Sequence, residues 1–137
     1  MSKIRYKAQG GFQLMDRYVV QTPLHPEKVV REEDGFCTLM PDGKLHIEKA
    51  YVWDGPSTGL FKKLSATKTF LRGSLVHDAC HQLARQNPEF RKFKPQFDDL
   101  LQTHCLEDGM MKLRAWWVRK GVEGGKIGKP RPTLEAP

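Results

Sequence analysis

The sequence predicts an α+β fold in which a small N-terminal antiparallel sheet packs against three C-terminal helices. Residues 3–53 form short runs of alternating apolar and polar side chains separated by turn signals, which is typical of half-buried strands. Residues 69–120 instead carry apolar side chains at intervals of three and four, the period of amphipathic helices. The change of period in the middle of the chain therefore separates a β-rich half from a helical half.

Length and composition are those of one ordinary domain. The chain has 137 residues, of which 39% are hydrophobic and 28% charged. We expect a single domain over 1–122 and a basic tail rich in glycine and proline over 123–137. No apolar run approaches the roughly 20 residues of a membrane helix, and no apolar signal region follows the first methionine. These features favour a cytoplasmic protein, or one packaged without a secretion signal.

Cysteine content and net charge indicate the state of the thiols and the kind of partner that the protein could bind. The three cysteines, Cys37, Cys80 and Cys105, include no Cys-x-x-Cys pair, which predicts reduced thiols rather than a disulfide framework or a zinc ribbon. The formal net charge of +7 favours a polyanionic partner such as nucleic acid, anionic lipid or an acidic protein. The alternative is solvated surface charge, because the basic residues are spread along the chain.

Turn signals divide the β-rich half into strands and a loop. Gly10-Gly11 separates two candidate strands, and the 41–44 segment, Pro-Asp-Gly-Lys, predicts a tight turn that joins 36–40 to 44–53 as a hairpin. In the second arm, one face carries Leu45, Ile47, Lys49, Tyr51 and Trp53. The following 54–59 segment is rich in glycine and small hydroxyls, which can bring backbone close to a ligand.

Proline and glycine also mark the helix ends. The first helix is predicted over 69–86, where Asn87-Pro88 closes it. A second is predicted over 95–108, with Pro95 in its first turn and Gly109 after its last. A third is predicted over 110–120 and stops at Gly121.

Polar side chains concentrate on one narrow sector of the first helix. That sector contains Ser74, His77, Asp78, His81 and Arg85, and the two histidines stack one turn apart because they are four residues apart.

The second helix offers a carboxylate to this sector. Asp98 borders the apolar face that Phe97, Leu101 and Cys105 define, whereas Asp99 points almost the opposite way. The helical wheel of 95–108 therefore predicts that Asp98 contacts the first helix and that Asp99 is solvated.

Three chemistries fit these residues, and so does a purely structural role. His77 and Asp98 could form a dyad that activates water. His77 and His81 could bind zinc, manganese or iron with Asp54, Asp78 or Asp98, and Asp78 with loop carbonyls could bind calcium. Nucleophilic catalysis by Cys80 or Ser74 is the third, although Cys80 falls in the apolar arc. Alternatively, the His–Asp pair serves only to lock two helices together.

Several motifs occur in an order that resembles a known family. Over about 45–121, the chain reads Trp-Asp-Gly-Pro-Ser, Leu-Val-His-Asp-x-x-His, Phe-Asp-x-x-Leu and Trp-Val-Arg-x-Gly. This order resembles a family of small phage and prophage proteins catalogued as a domain of unknown function (number thirteen fifty-three). The chain departs from the family at Pro56, His81 and Leu101, where the family usually has Ala, Tyr and Phe. Because the family has Tyr at the position of His81, His81 is not expected to be an obligatory metal ligand. The expected site residues are then Asp54, His77, Asp78 and Asp98.

A second resemblance concerns 77–81, His-Asp-Ala-Cys-His, which is similar to the His-Asp-x-Cys-Tyr signature of secreted phospholipases A2. That likeness implies a His that activates water, an adjacent Asp that binds calcium, and an Asp on the next helix that orients the His. The paired cysteines of that family are absent here.

We therefore expect a small phage-encoded accessory protein, a metal-assisted hydrolase of unknown substrate, in the host cytoplasm or the virion. His77 and Asp98 are the expected catalytic pair. Asp54, Asp78 and His81 are expected to hold a divalent cation, and the expected substrate contacts are Gly55, Ser57 and Ser74. The alternative is a non-enzymatic phage protein, a virion component or host-defence inhibitor, that binds nucleic acid or a protein partner.

Overall fold

A computed structural model describes residues 4–8, 12–53, 68–125 and 127. Short antiparallel strands occupy the N-terminal part of these residues and three α-helices the C-terminal part, so the predicted α+β class is confirmed. None of the described helices combines the length and the apolar character needed to cross a membrane. The basic tail predicted over 123–137 lies mostly outside the described residues.

The strands form two small sheets rather than one. The described strands are β1 (Tyr6–Ala8), β2 (Phe12–Leu14), β3 (Tyr18–Gln21), β4 (Val30–Arg31), β5 (Cys37–Leu39), β6 (Lys44–Ile47) and β7 (Val52–Trp53). One sheet has the order β1-β2-β7 and the other β3-β6-β5-β4, with antiparallel neighbours throughout. The outer edge of β3 is therefore an edge of the second sheet.

The predicted hairpin is present as β5 and β6, but its second arm is shorter than expected. Gly43 in the turn has φ +92, and a Cβ there would lie 2.4 Å from the carbonyl oxygen of Thr22. Strand β6 ends at Ile47, and the chain then turns through Ala50, at φ 78, before β7 joins the other sheet. The prediction that Lys49 shares the buried face was wrong, because this turn leaves it exposed.

The three helices are α1 (Lys68–Gln86), α2 (Lys94–Glu107) and α3 (Lys112–Glu123), each within about three residues of its predicted bounds. The predicted stop at Gly121 was wrong, because α3 continues through this glycine to Glu123. Gly109 follows α2 at φ +99, as predicted. The sequence did not predict the 3-10 helix Pro88–Phe93, which buries Phe90 between α1 and α2.

Helix α1 is the centre of the packing. Its apolar arc joins the strands in the larger core, with Leu75, Ala79 and Leu83 fully buried. A smaller core holds α3 against the other two helices through Phe70, Leu101, Cys105, Met110, Ala115 and Val118. Gly73 allows α1 and α2 to approach closely, because a Cβ there would lie 2.8 Å from Cδ1 of Leu101. This close approach brings the polar sector of α1 against α2.

Candidate functional site

The closest polar contact between the two helices joins a histidine to a carboxylate. Nε2 of His77, on α1, lies 2.7 Å from Oδ1 of Asp98, on α2. Both side chains are buried, at 9% and 3% exposure. Because an ionised carboxylate only accepts hydrogen bonds, Nε2 carries the proton in this pair. The dyad predicted from the helix wheel is therefore present as a geometric pair, and Asp99 is solvated as predicted, at 69% exposure.

The second oxygen of Asp98 is held by a lysine. Nζ of Lys94 donates to Oδ2 at 2.6 Å and also to the carbonyl oxygen of Val122 at 2.9 Å. Nη1 of Arg119 lies 4.0 Å from the same carboxylate oxygen. Burial raises the pKa of Asp98, but the hydrogen bonds from His77 and Lys94 outweigh it, so the pKa lies below its usual value. Asp98 is consequently ionised at neutral pH.

Aromatic rings enclose the other side of the dyad. The rings of His77 and His81 have centroids 4.6 Å apart, and Phe97 packs edge-on against both, at 5.5 and 5.3 Å. Burial, and then the neighbouring His77, lower the pKa of His81 to about 4. His81 is therefore a neutral imidazole at pH 7 and does not compete with His77 for a proton.

Three of these groups could also hold a metal ion. His77, His81 and Asp98 each offer a ligand atom, and these atoms all lie within 4.8 Å of one another. A cation there would lie close to the positive ammonium group of Lys94, which is 2.6 Å from Oδ2 of Asp98. The contacts of Asp98 thus favour the hydrogen-bonded pair over a bound cation, although the donor set would suit a cation.

The structure places Asp78 and Ser74 away from this cluster. Asp78 is half-buried on a neighbouring side of α1, where its charge is one of the smaller influences that raise the pKa of Tyr51. The hydroxyl of Ser74 is buried, accepts from the Trp53 indole at 3.1 Å and donates to the Leu71 carbonyl at 2.9 Å.

The remaining predicted site residues, Asp54, Gly55 and Ser57, lie outside the described residues. Their proposed contacts with a cation or a substrate stay predictions.

The cysteines are free and buried, in agreement with the predicted reduced thiols. Burial raises the pKa of Cys80 well above its usual value and that of Cys105 to about 12. A thiolate nucleophile at Cys80 is thereby disfavoured.

Sequence reasoning missed Lys94, Arg119 and His104 as polar members of the helical interface. Lys94 stands four residues before Asp98, a spacing that signals an ion pair on one helix face. His104 is 3% exposed, and its Nδ1 has no hydrogen-bond partner. No pattern in the sequence separates such a histidine from an apolar core position.

Comparisons with protein-family models, with curated proteins and with solved structures give no match to this chain. The resemblances to the phage family and to phospholipases A2 therefore stay predictions. The geometry of α1 and α2 is the basis on which function is argued.

Proposed function

We propose that the protein is a small hydrolase in which His77 acts as a general base toward water. The observation that carries this proposal is the 2.7 Å contact between Nε2 of His77 and Oδ1 of Asp98. It commits Nε2 to the carboxylate and leaves Nδ1 as the nitrogen that can take a proton. Among the described residues no hydrogen bond uses Nδ1 of His77, and it is not one of the fully buried unpartnered atoms.

The reaction follows from this arrangement. Nδ1 removes a proton from a water whose oxygen attacks the electrophilic centre of an ester or a related acyl or phosphoryl group. The resulting imidazolium is stabilised by ionised Asp98, and its proton then passes to the leaving group. Lys94 keeps Asp98 charged and fixes its orientation, so that the ring of His77 is held in one tautomer.

A divalent cation held by the same residues is the alternative form of the proposed hydrolase. If one binds, His77, His81 and Asp98 would be its ligands, with Asp54 as a further candidate, and it would polarise a substrate oxygen. Elemental analysis of the purified protein tests this part. A stoichiometric metal would overturn the dyad, because the same atoms of His77 and Asp98 would then be occupied.

The test of the hydrolase is a comparison of histidine variants on simple chromogenic substrates, p-nitrophenyl acetate and bis-p-nitrophenyl phosphate. His77→Gln keeps a donor toward Asp98 but removes the base, so kcat/KM should fall by about 10²- to 10⁴-fold. His25→Gln, at an exposed histidine, is the control and should leave kcat/KM unchanged. Equal activity of the two variants, or no wild-type activity on either substrate, would contradict the proposal. Unfolding of His77→Gln would favour the purely structural lock.

One observation favours a second candidate function, nucleic-acid binding without catalysis. Trp116 and Trp117 on the outer face of α3 are 46% and 56% exposed. The same helix carries three exposed basic side chains, Lys112, Arg114 and Lys120. Exposed rings among cations are typical of surfaces that stack single-stranded bases. Quenching of tryptophan fluorescence by an oligothymidine, lost between 50 and 300 mM salt and retained in His77→Gln, would support this candidate.

A further inference from the structure

A second site lies where strand β3 faces helix α2, among residues that the dyad does not use. The two elements line an open groove of about 930 Å³. Its strand side comprises residues 18–23, and its helix side includes Leu100, Thr103 and His104. The groove shares no lining residue with the dyad.

The strand side offers unpaired backbone groups. Among the described strands, β3 pairs only with β6, and the Thr22 amide donates to the Gly43 carbonyl at 2.9 Å. Because the pairing alternates along an antiparallel strand, Tyr18 and Val20 also bond toward β6. The amides and carbonyls of Val19 and Gln21 therefore point outward, and no hydrogen bond among the described residues uses them.

The helix side contributes a buried polar atom that has no partner among the described residues. His104 is 3% exposed and lines the groove, and its Nδ1 has no hydrogen bond. Burial, and then the nearby charge of Arg72, lower the pKa of His104 to about 4, so its ring is neutral and offers one donor and one acceptor. A buried polar atom without a partner is unfavourable unless a bound group supplies one.

The charges of the groove favour a neutral or basic occupant. Arg72 is paired with Glu107 at 2.8 Å and with Asp108 at 3.0 Å, and Asp99 with Arg119 at 2.8 Å. The lining itself contains Asp99 and Glu107 against Arg72, so acidic groups are in excess. Apolar contact is available at Val20 and Leu100, both at least nine-tenths buried.

From these observations we infer that the groove binds an extended peptide segment of a partner protein, neutral to basic in charge, which adds to β3 as a further antiparallel or parallel strand. Its backbone would pair with the outward groups of Val19 and Gln21 at the usual strand spacing of about 4.8 Å. A polar side chain of the peptide would meet the imidazole of His104 where this residue lines the groove. The inference does not depend on the hydrolase, because none of its residues belongs to the dyad.

Amide NMR of the full chain tests the inference. The probe is a pool of acetylated, amidated hexapeptides with valine at every second position and Lys, Thr or Ser between. We expect the amides of Val19 and Gln21 to shift and to exchange more slowly, while those of Tyr18 and Val20 exchange as before. The same pool with N-methylated alternate amides should bind at least tenfold more weakly. The peptide is added to 2 mM, a concentration at which even a weak complex with a Kd of about 1 mM is well populated. Absence of any chemical-shift change at Val19 and Gln21 would then overturn the inference.

Variants separate the two sides of the groove. Val19→Pro removes one outward amide at a strand edge, where proline is tolerated, and should weaken binding at least tenfold. His104→Leu should weaken binding about fivefold and selectively for peptides with a polar side chain at that position. Leu113→Ala, on the exposed face of α3, is the matched control and should bind as wild type. A concentration-dependent dimer that Val19→Pro abolishes would overturn the partner peptide in favour of a second copy of the chain.

Discussion

Helix α2 buries two histidine contacts of opposite character. Near its start, Asp98 receives His77 from α1 at 2.7 Å, and Lys94 satisfies the other carboxylate oxygen at 2.6 Å. Near its end, His104 is buried at 3% exposure with an unpartnered Nδ1. The first cluster is complete in that both oxygens of Asp98 have partners, whereas the second is incomplete because no described residue supplies a partner for Nδ1 of His104.

The two sites differ in whether a charged group faces the buried histidine. Although His77 is buried, it has an ionised carboxylate within hydrogen-bond distance. His104 has no such partner, and burial, followed by the nearby charge of Arg72, lowers its pKa and keeps the ring neutral. A complete cluster suits proton transfer, and an incomplete one suits the recognition of an incoming polar group.

Breaking the complete cluster should have the largest effect. Asp98→Asn removes the charge that His77 and Lys94 share, and we expect a loss of about 3 kcal/mol in the free energy of unfolding together with loss of any dyad-dependent activity. Asp99→Asn is the control: its side chain is 69% exposed, and the loss should stay within about 0.5 kcal/mol. Urea unfolding of both variants measures this. A larger loss at Asp99 would show that α2 is rotated from the orientation described.

The incomplete cluster should reveal itself in acid. The pKa of His104 is about 4 in the folded protein and about 6.5 when unfolded, so the unfolded chain binds the proton first. Its contribution to stability is complete above pH 6.5 and is lost as the pH falls toward 4, by on the order of 3 kcal/mol. Urea unfolding at pH 7.5, 6 and 4.5 should show a shallower fall in His104→Leu than in wild type. His25→Gln should keep the wild-type slope, and identical slopes in all three proteins would refute the buried neutral state.

The smallest expected effect tests the packing that both sites share. Gly73→Ala would place a Cβ 2.8 Å from Leu101 Cδ1 and 3.3 Å from Cys105 Sγ, so α1 and α2 must separate slightly. We expect overpacking to exceed the gain in helix propensity and to destabilise the protein by about 1 kcal/mol. Histidine NMR should show a changed environment at His77. Gly124→Ala, with no atom within 4 Å of the new Cβ, should change neither quantity.

Local patterns alone predicted much of the fold. The 3.6-residue period placed all three helices within a few residues, and the Gly109 stop holds because a left-handed φ there suits glycine. The wheel also separated Asp98 from Asp99, since adjacent residues on a helix lie 100° apart. These features depend on neighbours in sequence, which is why sequence alone could establish them.

The contacts of the polar residues could be learned only from the tertiary packing. The alternation of apolar residues could not show that the chain leaves one sheet after Ile47 and joins another at Val52, because buried residues occupy odd-numbered positions on both sides of the turn. Nor could it show that Lys94 completes the Asp98 cluster while His104 is left without a partner, since those contacts join separate helices. Local sequence patterns were enough to predict the class of fold and which side of each helix is buried. The partner of each buried polar atom depended on how the helices pack, because packing brings residues distant in sequence within hydrogen-bond range.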